Sequence, residues 1–506
     1  MDRREFLIGA AALGGVAAVG GGTYALLSGD DDAEPASVLA SPASECPIDT
    51  IVVLMLENRS FDHYYGWLGT DERYLEAGRK RYGKQFTIDA RTDMAYPLPD
   101  GQLVPTSYLP DDATEVDPYR GCRHLIPGHD WDQARVERDS GFLGAGSGND
   151  EFALGYFRAE DLPVHARLAE RFTVFDGYHA SLLGGTFPNR QYMHAAQSNG
   201  IKYDPVPLEI GSFQGPTIWD KLAGAGVDAG YYYVDLPMLL LWGEQYADRI
   251  QSTDRYFEQT ATGTLPNVVF IDPGFAPPLR TDDHPRGDIR LGQRFVREVF
   301  KAFVESKHWE RGAFFLVYDE WGGFFDHVPP PILPDERSSP NDEDNFGQAG
   351  FRVPAVLASP YGRHGGVDHR LYDHTSILRF LEWRFLGAPP EGPGAINARW
   401  PLTTRDQFAN NIGRTLRPSQ PDLELHYDAD VPVGPYSLGC NETAIEQAEE
   451  LESSGFTPSP AMADVMDQKY PRPTETPWID SPALPIPVLP VDPDAPGATT
   501  TTTTAS

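Results

Sequence analysis

Residues 50–56 have the sequence Thr-Ile-Val-Val-Leu-Met-Leu and are followed at once by Glu57-Asn58-Arg59-Ser60. An uninterrupted apolar run of strand length is typical of a strand buried on both faces, as in a parallel sheet covered by helices. Five later runs of the same kind are residues 172–175, 231–234, 268–271, 313–318 and 353–358. We therefore predict six core strands.

Helical patterns lie between these runs, at residues 161–171, 217–225, 291–306 and 375–385. Alternating strands and helices predict an α/β helix–sheet–helix sandwich with a mostly parallel central sheet. Ligands of such sheets bind beyond the carboxyl ends of the strands. Two stretches rich in Gly, Pro and Asp, residues 70–150 and 330–350, are predicted to be long loops or a cap over that edge.

The composition is that of a large, acidic, folded protein. The 506 residues are 40% hydrophobic, and 41 Lys and Arg oppose 74 Asp and Glu, so the net charge is −33. Such a charge disfavours nucleic acid as a partner, because binding to phosphate backbones needs basic patches. Three cysteines exclude a disulfide-stapled scaffold and a multi-cysteine metal site.

The two ends differ from the body. In residues 1–30, Arg3-Arg4 precede an Ala- and Gly-rich apolar stretch, which predicts a twin-arginine export signal and the translocation machinery as a partner. An uncleaved membrane anchor is the alternative. We predict a linker over 31–45, the main domain over 46–454 and a disordered Pro/Asp/Thr-rich tail over 455–506.

The first polar motif follows the first strand. Glu57 and Asn58 offer a carboxylate and an amide oxygen, which are hard ligands for a divalent cation. Asn58 or Ser60 could instead cap a following helix while Glu57 pairs with Arg59. The spacing alone leaves both interpretations open.

The second motif places a hydroxyl at a sharp turn between a strand and a helix. Gly184-Gly185-Thr186-Phe-Pro-Asn189-Arg190 predicts an exposed Thr186 nucleophile at a helix N-terminus. Asn189 and Arg190 are close enough in sequence to aid phosphate binding. The alternative is that Thr186 only caps the helix.

The third motif is Asp319-Glu320-Trp-Gly-Gly-Phe-Phe-Asp326-His327, at the end of the apolar run 313–318. Adjacent carboxylates at a strand end repel each other unless they are paired or bind a metal ion. Solvated loop acids with a hydrogen-bonded His327 are the alternative. His129 and His284 each have acidic neighbours that could fix the tautomer of the ring.

These motifs carry a family resemblance. Residues 52–66, 186–190, 282–285, 318–331 and 372–379 resemble, in the same order, the sequence blocks of the bacterial phosphoesterase family. That family contains phospholipases C and acid phosphatases. The resemblance spans residues 48 to 390 and implies the alkaline-phosphatase-like fold.

The resemblance also implies a site. It assigns one divalent metal ion (Ca, Mg, Mn or Zn) to Glu57, Asn58, Asp319 and Glu320, with Thr186 as the nucleophile and a further ligand. His129, His284 and His327 would contact the phosphoryl group or protonate the leaving oxygen. The sequence departs from the family pattern at Leu56, where Gln is usual, and at Trp321, where Asn or His is usual. The second departure predicts an altered pocket wall.

The implied function is that of an exported, metal-dependent phosphoric-ester hydrolase. A phospholipase C acting on phosphodiester head groups is the first expectation, with a phosphate ester such as a phospholipid as substrate. An acid phosphatase acting on phosphomonoesters is the alternative. A catalytically dead, exported binding protein is a third interpretation from another class, and the intact Glu57, Thr186, Asp319 and Glu320 argue against it.

Overall fold

The computed structural model describes residues 37–111, 117–276, 280–418, 421–423, 431–437 and 456–480. The predicted export signal, residues 1–30, and the beginning of the predicted linker lie outside these ranges. Among the residues described, no helix is both long enough and apolar enough to cross a bilayer.

The core is a sheet of eight strands within the described residues, in the order β12-β6-β11-β10-β1-β9-β7-β8. All neighbouring pairs are parallel except those of β11, which runs antiparallel to β10 and β6. The sheet confirms the predicted α/β class. Its strands are β1 (Thr50–Leu56), β6 (Thr173–Phe175), β7 (Ala229–Tyr233), β8 (Ile250–Ser252), β9 (Val268–Ile271), β10 (Gly312–Tyr318), β11 (Ala355–Ala358) and β12 (Gly366–Asp368). Short strands outside the sheet are β2 (Ala95–Pro97), β3 (Leu103–Pro105), β4 (Ser107–Tyr108) and β5 (Gly155–Tyr156).

Helices cover the sheet. The longest, α8, is strongly amphipathic: apolar residues such as Phe295, Val299 and Phe303 are fully buried. The helices are α1 (Phe61–Tyr65), α2 (Glu72–Tyr82), α3 (Trp131–Ser140), α4 (Pro163–Arg171), α5 (Thr186–Ala195), α6 (Ile218–Ala225), α7 (Thr253–Thr262), α8 (Ile289–Val304), α9 (His374–Leu381), α10 (Thr404–Phe408), α11 (Pro460–Lys469) and α12 (Pro477–Asp480).

The central pair of strands fixes the edge at which ligands bind. Every residue of β1 and β10 is buried, which explains their uninterrupted apolar sequences. The two strands pair in parallel from Thr50 opposite Gly312 to Leu56 opposite Tyr318. Because both strands end at the same level, the polar residues that follow them emerge side by side.

All six predicted strands are present, and each predicted helix overlaps an observed one. The short strands β8 and β12 were not predicted, because three residues are too few for a periodic signal. The predicted long loop over 70–150 contains α2, the β2–β3 pair and α3. Residues 126–130 of this region line a cleft at the ligand edge, so part of the segment does cover that edge.

The ends of the main domain need correction. Val38 and Leu39, in the predicted linker, are buried, and the Val38 amide donates to Leu416 O at 2.9 Å. In the predicted tail, residues 456–480 include α11 and α12, and Phe456, Met462 and Trp478 are buried in the core. A few large apolar side chains that dock one by one are enough to order a segment of low average hydrophobicity. The remaining tail, 481–506, lies outside the described residues.

Candidate active site

Carboxylates from three neighbouring strands meet at the carboxyl edge of the sheet. Glu57 and Asn58 follow β1, Asp319 and Glu320 follow β10, and Asp272 follows β9. The backbone ladder continues past the strand ends, with Asp319 N donating to Leu56 O at 3.1 Å and Arg59 N to Glu320 O at 3.2 Å. The two polar motifs are therefore held in a fixed register.

Asn58 joins the two motifs through its side chain. Its Nδ2 donates to Glu320 Oε1 and, at 3.0 Å, to His129 Nε2. Its φ of 60° lies in the left-handed region, which Asn tolerates better than most residues. The helix that follows, α1, is capped by Ser60, whose Oγ accepts from His63 N at 3.2 Å. Asn58 is thus free of the capping role that the sequence left open.

Burial dominates the electrostatics of the acidic residues. Glu57, Asp319 and Glu320 have no exposed surface, which contradicts the alternative of solvated loop acids. Burial, and then the negative charges of Asp282 and Asp319, raise the pKa of Glu57 well above its ordinary value. Burial and the charge of Asp319 likewise raise the pKa of Glu320. Such a group of carboxyls ionises readily only beside compensating positive charge.

Two buried arginines supply part of that charge. Arg190 donates from Nε to Asp319 Oδ2 and from Nη1 to Asp272 Oδ1, both at 2.9 Å. Arg280 lies 3.1 Å from Asp282 and 3.6 Å from Glu57. Together they offset two of the buried negative charges, which leaves the carboxylate cluster with an excess of acid.

Three buried oxygens that accept no hydrogen bond fit a cation. Glu57 Oε1, Glu57 Oε2 and Asn58 Oδ1 are buried and have no hydrogen-bond partner. Arg190 and Arg280 lie 3.7 and 3.6 Å from the two Glu57 oxygens, which is too far for a hydrogen bond. Buried polar atoms are normally satisfied, so the three oxygens leave room for a further electropositive group. The donor set of carboxylate and amide oxygens suits a hard divalent cation. The residues present therefore fit the metal ion that the resemblance implies.

Thr186 is the first residue of α5 and is 2% exposed, so the prediction that the turn exposes this residue is wrong. The N-cap of this helix is Gly185, which has no side chain, so Thr186 is not the cap. The amide of Phe187, in the first turn, donates to Asp204 Oδ1 at 2.9 Å. The Thr186 hydroxyl is thus placed at a helix N-terminus whose capping is performed by another residue.

Asn189 and Arg190 have other partners than the predicted phosphate. Asn189 Nδ2 donates to Gly184 O at 2.8 Å and Gly185 O at 3.0 Å, and its Oδ1 accepts from Leu182 N at 2.8 Å. This side chain holds the turn before Thr186. Arg190 is occupied by the carboxylates beneath the site. Both side chains are almost fully buried and hold neighbouring groups of the site, and their contact with phosphate stays a prediction.

His129 and His284 line a cleft of about 390 Å³ together with Gly185 and Asp204. His129 Nδ1 donates to Pro127 O at 2.8 Å, and His284 Nδ1 donates to Pro285 O at 2.9 Å. These bonds assign the Nδ1–H tautomer and leave Nε2 of each ring as an acceptor. Burial lowers the pKa of both rings, and Arg280 and His129 lower that of His284 further.

His327 belongs to a different cluster. Its Nδ1 contacts Asp62 Oδ2 at 2.5 Å and its Nε2 contacts Asp89 Oδ1 at 2.8 Å, so both ring nitrogens are engaged. Asp62, Asp326 and His327 are close enough to hold a metal ion. Arg352 supplies one positive charge to this cluster, at 2.9 Å from Asp326 and 3.2 Å from Asp62. His327 thus lies apart from the residues that line the cleft of His129 and His284, and its predicted contact with the phosphoryl group stays a prediction.

Three site residues were not predicted individually: Asp204, Asp272 and Arg280. Asp272 directly follows a predicted strand, and this position was the only available signal. Trp321 is fully buried and donates from Nε1 to Glu137 Oε2 at 2.8 Å. It is not among the residues that line this cleft, and its effect on the pocket wall stays a prediction.

Known proteins resemble this chain along most of its length. Non-specific phospholipase C3 of Arabidopsis thaliana is 30% identical over 433 residues, covering 78% of this chain and 79% of the relative. Phospholipase C B of Mycobacterium tuberculosis is 30% identical over 482 residues, covering 84% and 88%. Among solved structures, a protein in the alkaline phosphatase superfamily from Vibrio parahaemolyticus is 12% identical, with a TM-score of 0.30 and coverage of 66% of this chain and 78% of that one.

The family model described as Phosphoesterase family matches residues 48–386, which contain the strand-end acids, Thr186 and the three predicted histidines. This chain belongs to the phosphoesterase family, and it is a hydrolase of phosphoric esters.

Proposed function

We propose that the protein is an exported, metal-dependent phospholipase C that hydrolyses phosphodiesters through a threonine nucleophile. The observation that carries the proposal is the group of three orphan oxygens on Glu57 and Asn58, next to the strand-end acids Asp319 and Glu320. The names of the relatives in Arabidopsis thaliana and Mycobacterium tuberculosis support a phospholipid substrate.

Glu57, Asn58, Asp319, Glu320 and Thr186 would hold one divalent cation. Bound there, the cation would offset the excess acid, lower the pKa of a coordinated hydroxyl and neutralise charge on a phosphoryl group. Oxygen ligands favour Ca, Mg or Mn, and the nearby imidazoles also suit Zn.

The residues of the chain then perform the reaction in two halves. Thr186 Oγ attacks phosphorus, so that an Oγ–P bond forms, the ester bond to the alcohol breaks and a phosphothreonyl ester results. Water hydrolyses that ester in the second half and restores Thr186. Asn189 fixes the turn before Thr186 by donating to Gly184 O and Gly185 O, and Gly185 lines the cleft.

The protons pass through imidazole. Because the Nδ1 protons of His129 and His284 are held by backbone carbonyls, Nε2 of each ring carries no proton. Nε2 of His129 accepts from Asn58 Nδ2 at 3.0 Å, and both rings line the cleft. A phosphate anion bound nearby favours the charged ring. One of these Nε2 atoms can therefore take the proton of Thr186 and deliver a proton to the departing alcohol.

Export is part of the proposal. The twin-arginine pattern of residues 1–30 is the main support. A second support is Cys122, which is disulfide-bonded, since disulfides persist mainly in oxidising compartments. Cys46 is a buried free thiol.

Hydrolysis of p-nitrophenyl phosphorylcholine and of p-nitrophenyl phosphate by the purified protein, each with and without EDTA, tests the proposal. We expect a preference for the diester and loss of activity on chelation. A preference for the monoester would favour a phosphatase with the same site. Activity that survives prolonged chelation would contradict the metal assignment, and inactivity toward both esters would favour a binding protein.

A further inference from the structure

Asp204 lies beside the first turn of α5, where the proposed function places the phosphoryl group. It lines the cleft together with His129, His284 and Gly185. Its Oδ1 accepts from Phe187 N at 2.9 Å, and a Cβ built on Gly185 would lie 3.3 Å from its Oδ2. The carboxylate therefore sits directly beside the turn that presents Thr186.

The charge of Asp204 is not offset by an ion pair with any described residue. Lys202, also in the cleft lining, is paired with Asp344 at 3.0 Å and lies 4.9 Å from the Trp131 ring. Arg190 forms ion pairs with Asp319 and Asp272, and its charge also lowers the pKa of Asp204. The other acidic groups near Asp204, Asp130 and Glu320, add negative potential to the same end of the cleft.

Asp204 also occupies a donor that an anion would otherwise use. Free amides in the first turn of a helix bind phosphate oxygens well, because the N–H groups and the helix dipole favour negative charge. Here the amide of Phe187 already donates to a carboxylate of the chain itself. The helix N-terminus next to Thr186 therefore has one free N–H group fewer with which to stabilise the second negative charge of a phosphomonoester.

Phosphate esters differ in the charge that they bring. A phosphomonoester carries close to two negative charges above neutral pH, since its second pKa is about 6. A phosphodiester carries one negative charge. An ionised carboxylate beside the phosphoryl group repels both esters. It repels the monoester more strongly, because the monoester carries one more negative charge.

We propose that Asp204 is a specificity-determining residue that disfavours dianionic phosphomonoesters and so selects monoanionic phosphodiesters. The inference rests on the proposed function, because it assigns the substrate class of the same site. Burial raises the pKa of Asp204 to about 6, so the group is ionised in an assay at about pH 8.

The variant Asp204→Asn tests the proposal. Asn keeps an oxygen that can accept from Phe187 N, so the turn before Thr186 is retained while the charge is removed. We expect kcat/KM for p-nitrophenyl phosphate to rise relative to that for p-nitrophenyl phosphorylcholine by roughly ten-fold at pH 8. An unchanged ratio in a variant with wild-type Tm would overturn the proposal.

Asp132→Asn is the matched control. Asp132 is exposed, lies outside the cleft lining and accepts a hydrogen bond from Tyr203, a residue at the cleft, at 2.8 Å. Its loss removes one carboxylate charge from the same region, but solvent and salt screen it. We expect the ratio of the two substrates to change by less than about two-fold. An equal effect of both variants would indicate a general change in net charge and contradict a specific role for Asp204.

A binding measurement separates this proposal from the proposed function. Titration calorimetry at pH 8 with inorganic phosphate and with dimethyl phosphate needs no turnover. We expect Asp204→Asn to tighten phosphate binding by roughly ten-fold and dimethyl phosphate binding by much less. This result together with an inactive wild type would reject the proposed function and keep the role of Asp204, whereas equal effects on both ligands would reject that role.

Discussion

Asn58 combines a backbone requirement with two side-chain contacts. Its left-handed φ lets the chain turn directly after β1, so that Glu57 and Asn58 both stay at the sheet edge. Its Nδ2 binds Glu320 and His129, while its Oδ1 stays unpaired. A single residue therefore links the two strand ends to the cleft and leaves one oxygen for a cation.

Replacing the nucleophile tests the chemistry at Thr186. Thr186→Ala removes the hydroxyl but leaves Glu57, Asn58, Asp319 and Glu320, so kcat is expected to fall by about a thousand-fold or more while the metal content is unchanged. Thr186→Ser keeps a hydroxyl at this position and is the control, retaining much of the activity. Turnover of Thr186→Ala near the wild-type rate, measured on the diester, would exclude a threonine nucleophile.

His327 should contribute pH-dependent stability rather than catalysis. Burial lowers the pKa of His327. The hydrogen bond and the charge of Asp62 raise it by a larger amount, so the pKa lies above its ordinary value. A raised folded-state pKa gives stabilisation that is complete below the unfolded pKa of about 6.5 and is lost as the pH rises through the folded pKa.

His327→Gln should therefore lose more stability, relative to the wild type, at about pH 5.5 than at about pH 8.5. Urea unfolding at the two pH values measures this difference. Its kcat should fall far less than that of His129→Gln or His284→Gln. A difference in stability that is the same at both pH values, or a loss of kcat as large as that of the cleft histidines, would contradict the structural role.

The site residues that could be predicted are those adjacent to a strong local signal. Glu57 and Asp319 end conspicuous apolar strands, so their placement at one sheet edge follows from the sequence. Asn189 and Arg190 are close to Thr186 in sequence, but the helix turns their side chains toward the interior. Sequence distance gives no direction for a side chain, which is also why Asp204 was missed.

At the scale of the elements, the turn after β10 depends on two glycines. Gly322 and Gly323 both have positive φ, of 66° and 70°. A Cβ on Gly322 would lie 2.3 Å from Asn58 O, and one on Gly323 would lie 2.5 Å from Gly128 O. The glycines therefore permit both the chain reversal and the close approach of the two neighbouring segments.

Gly322→Ala should displace Asn58 and lower kcat by about ten-fold or more, because a shift of the site geometry of this size is costly. Gly392 has a φ of 65°, and a Cβ at this position would have no neighbour within 4 Å among the described residues, so Gly392→Ala is the matched control. We expect the control to cost about 1 kcal/mol of stability for its left-handed φ, with unchanged kcat. Equal kinetic behaviour of the two variants would show that contact with Asn58 is unimportant.

Long, regular elements were predictable and exceptional ones were not. β1 and β9 match their predicted ranges because both faces of these strands are buried. The run at 353–358 indicated a strand but not its direction, and β11 is antiparallel. The direction of a strand depends on how the preceding connection crosses the sheet. The apolar sequence of the strand itself does not determine that connection.

At the scale of the whole molecule, the fold extends further along the chain than its composition indicates. Trp478, in α12, is 1% exposed and packs edge-to-face on Phe295 of α8, with ring centroids 4.9 Å apart. The segment 456–480 is thus part of the folded body. The average hydrophobicity of this region is low because Pro and Thr surround the few apolar residues, so it does not predict their packing.

Trp478→Ala should lower the free energy of unfolding by about 3–5 kcal/mol, because it leaves a cavity against α8. Leu103→Ala, at a side chain 62% exposed, is the control and should change stability by less than about 0.5 kcal/mol. Denaturant unfolding measures both. If the Trp478→Ala variant were as stable as the control, the packing of residues 456–480 on the folded body would be contradicted, and the prediction of a disordered tail over these residues would be supported.

The central claim is that the orphan oxygens of Glu57 and Asn58 hold a divalent cation. Its most direct test is the metal content, by plasma mass spectrometry, of the wild type and of Glu57→Gln purified in parallel. Gln fills the same volume without the charge, so the variant should fold. We predict about one divalent ion per wild-type chain and a large loss of the ion in the variant. No bound metal in the wild type, or equal metal in both proteins, would contradict the account.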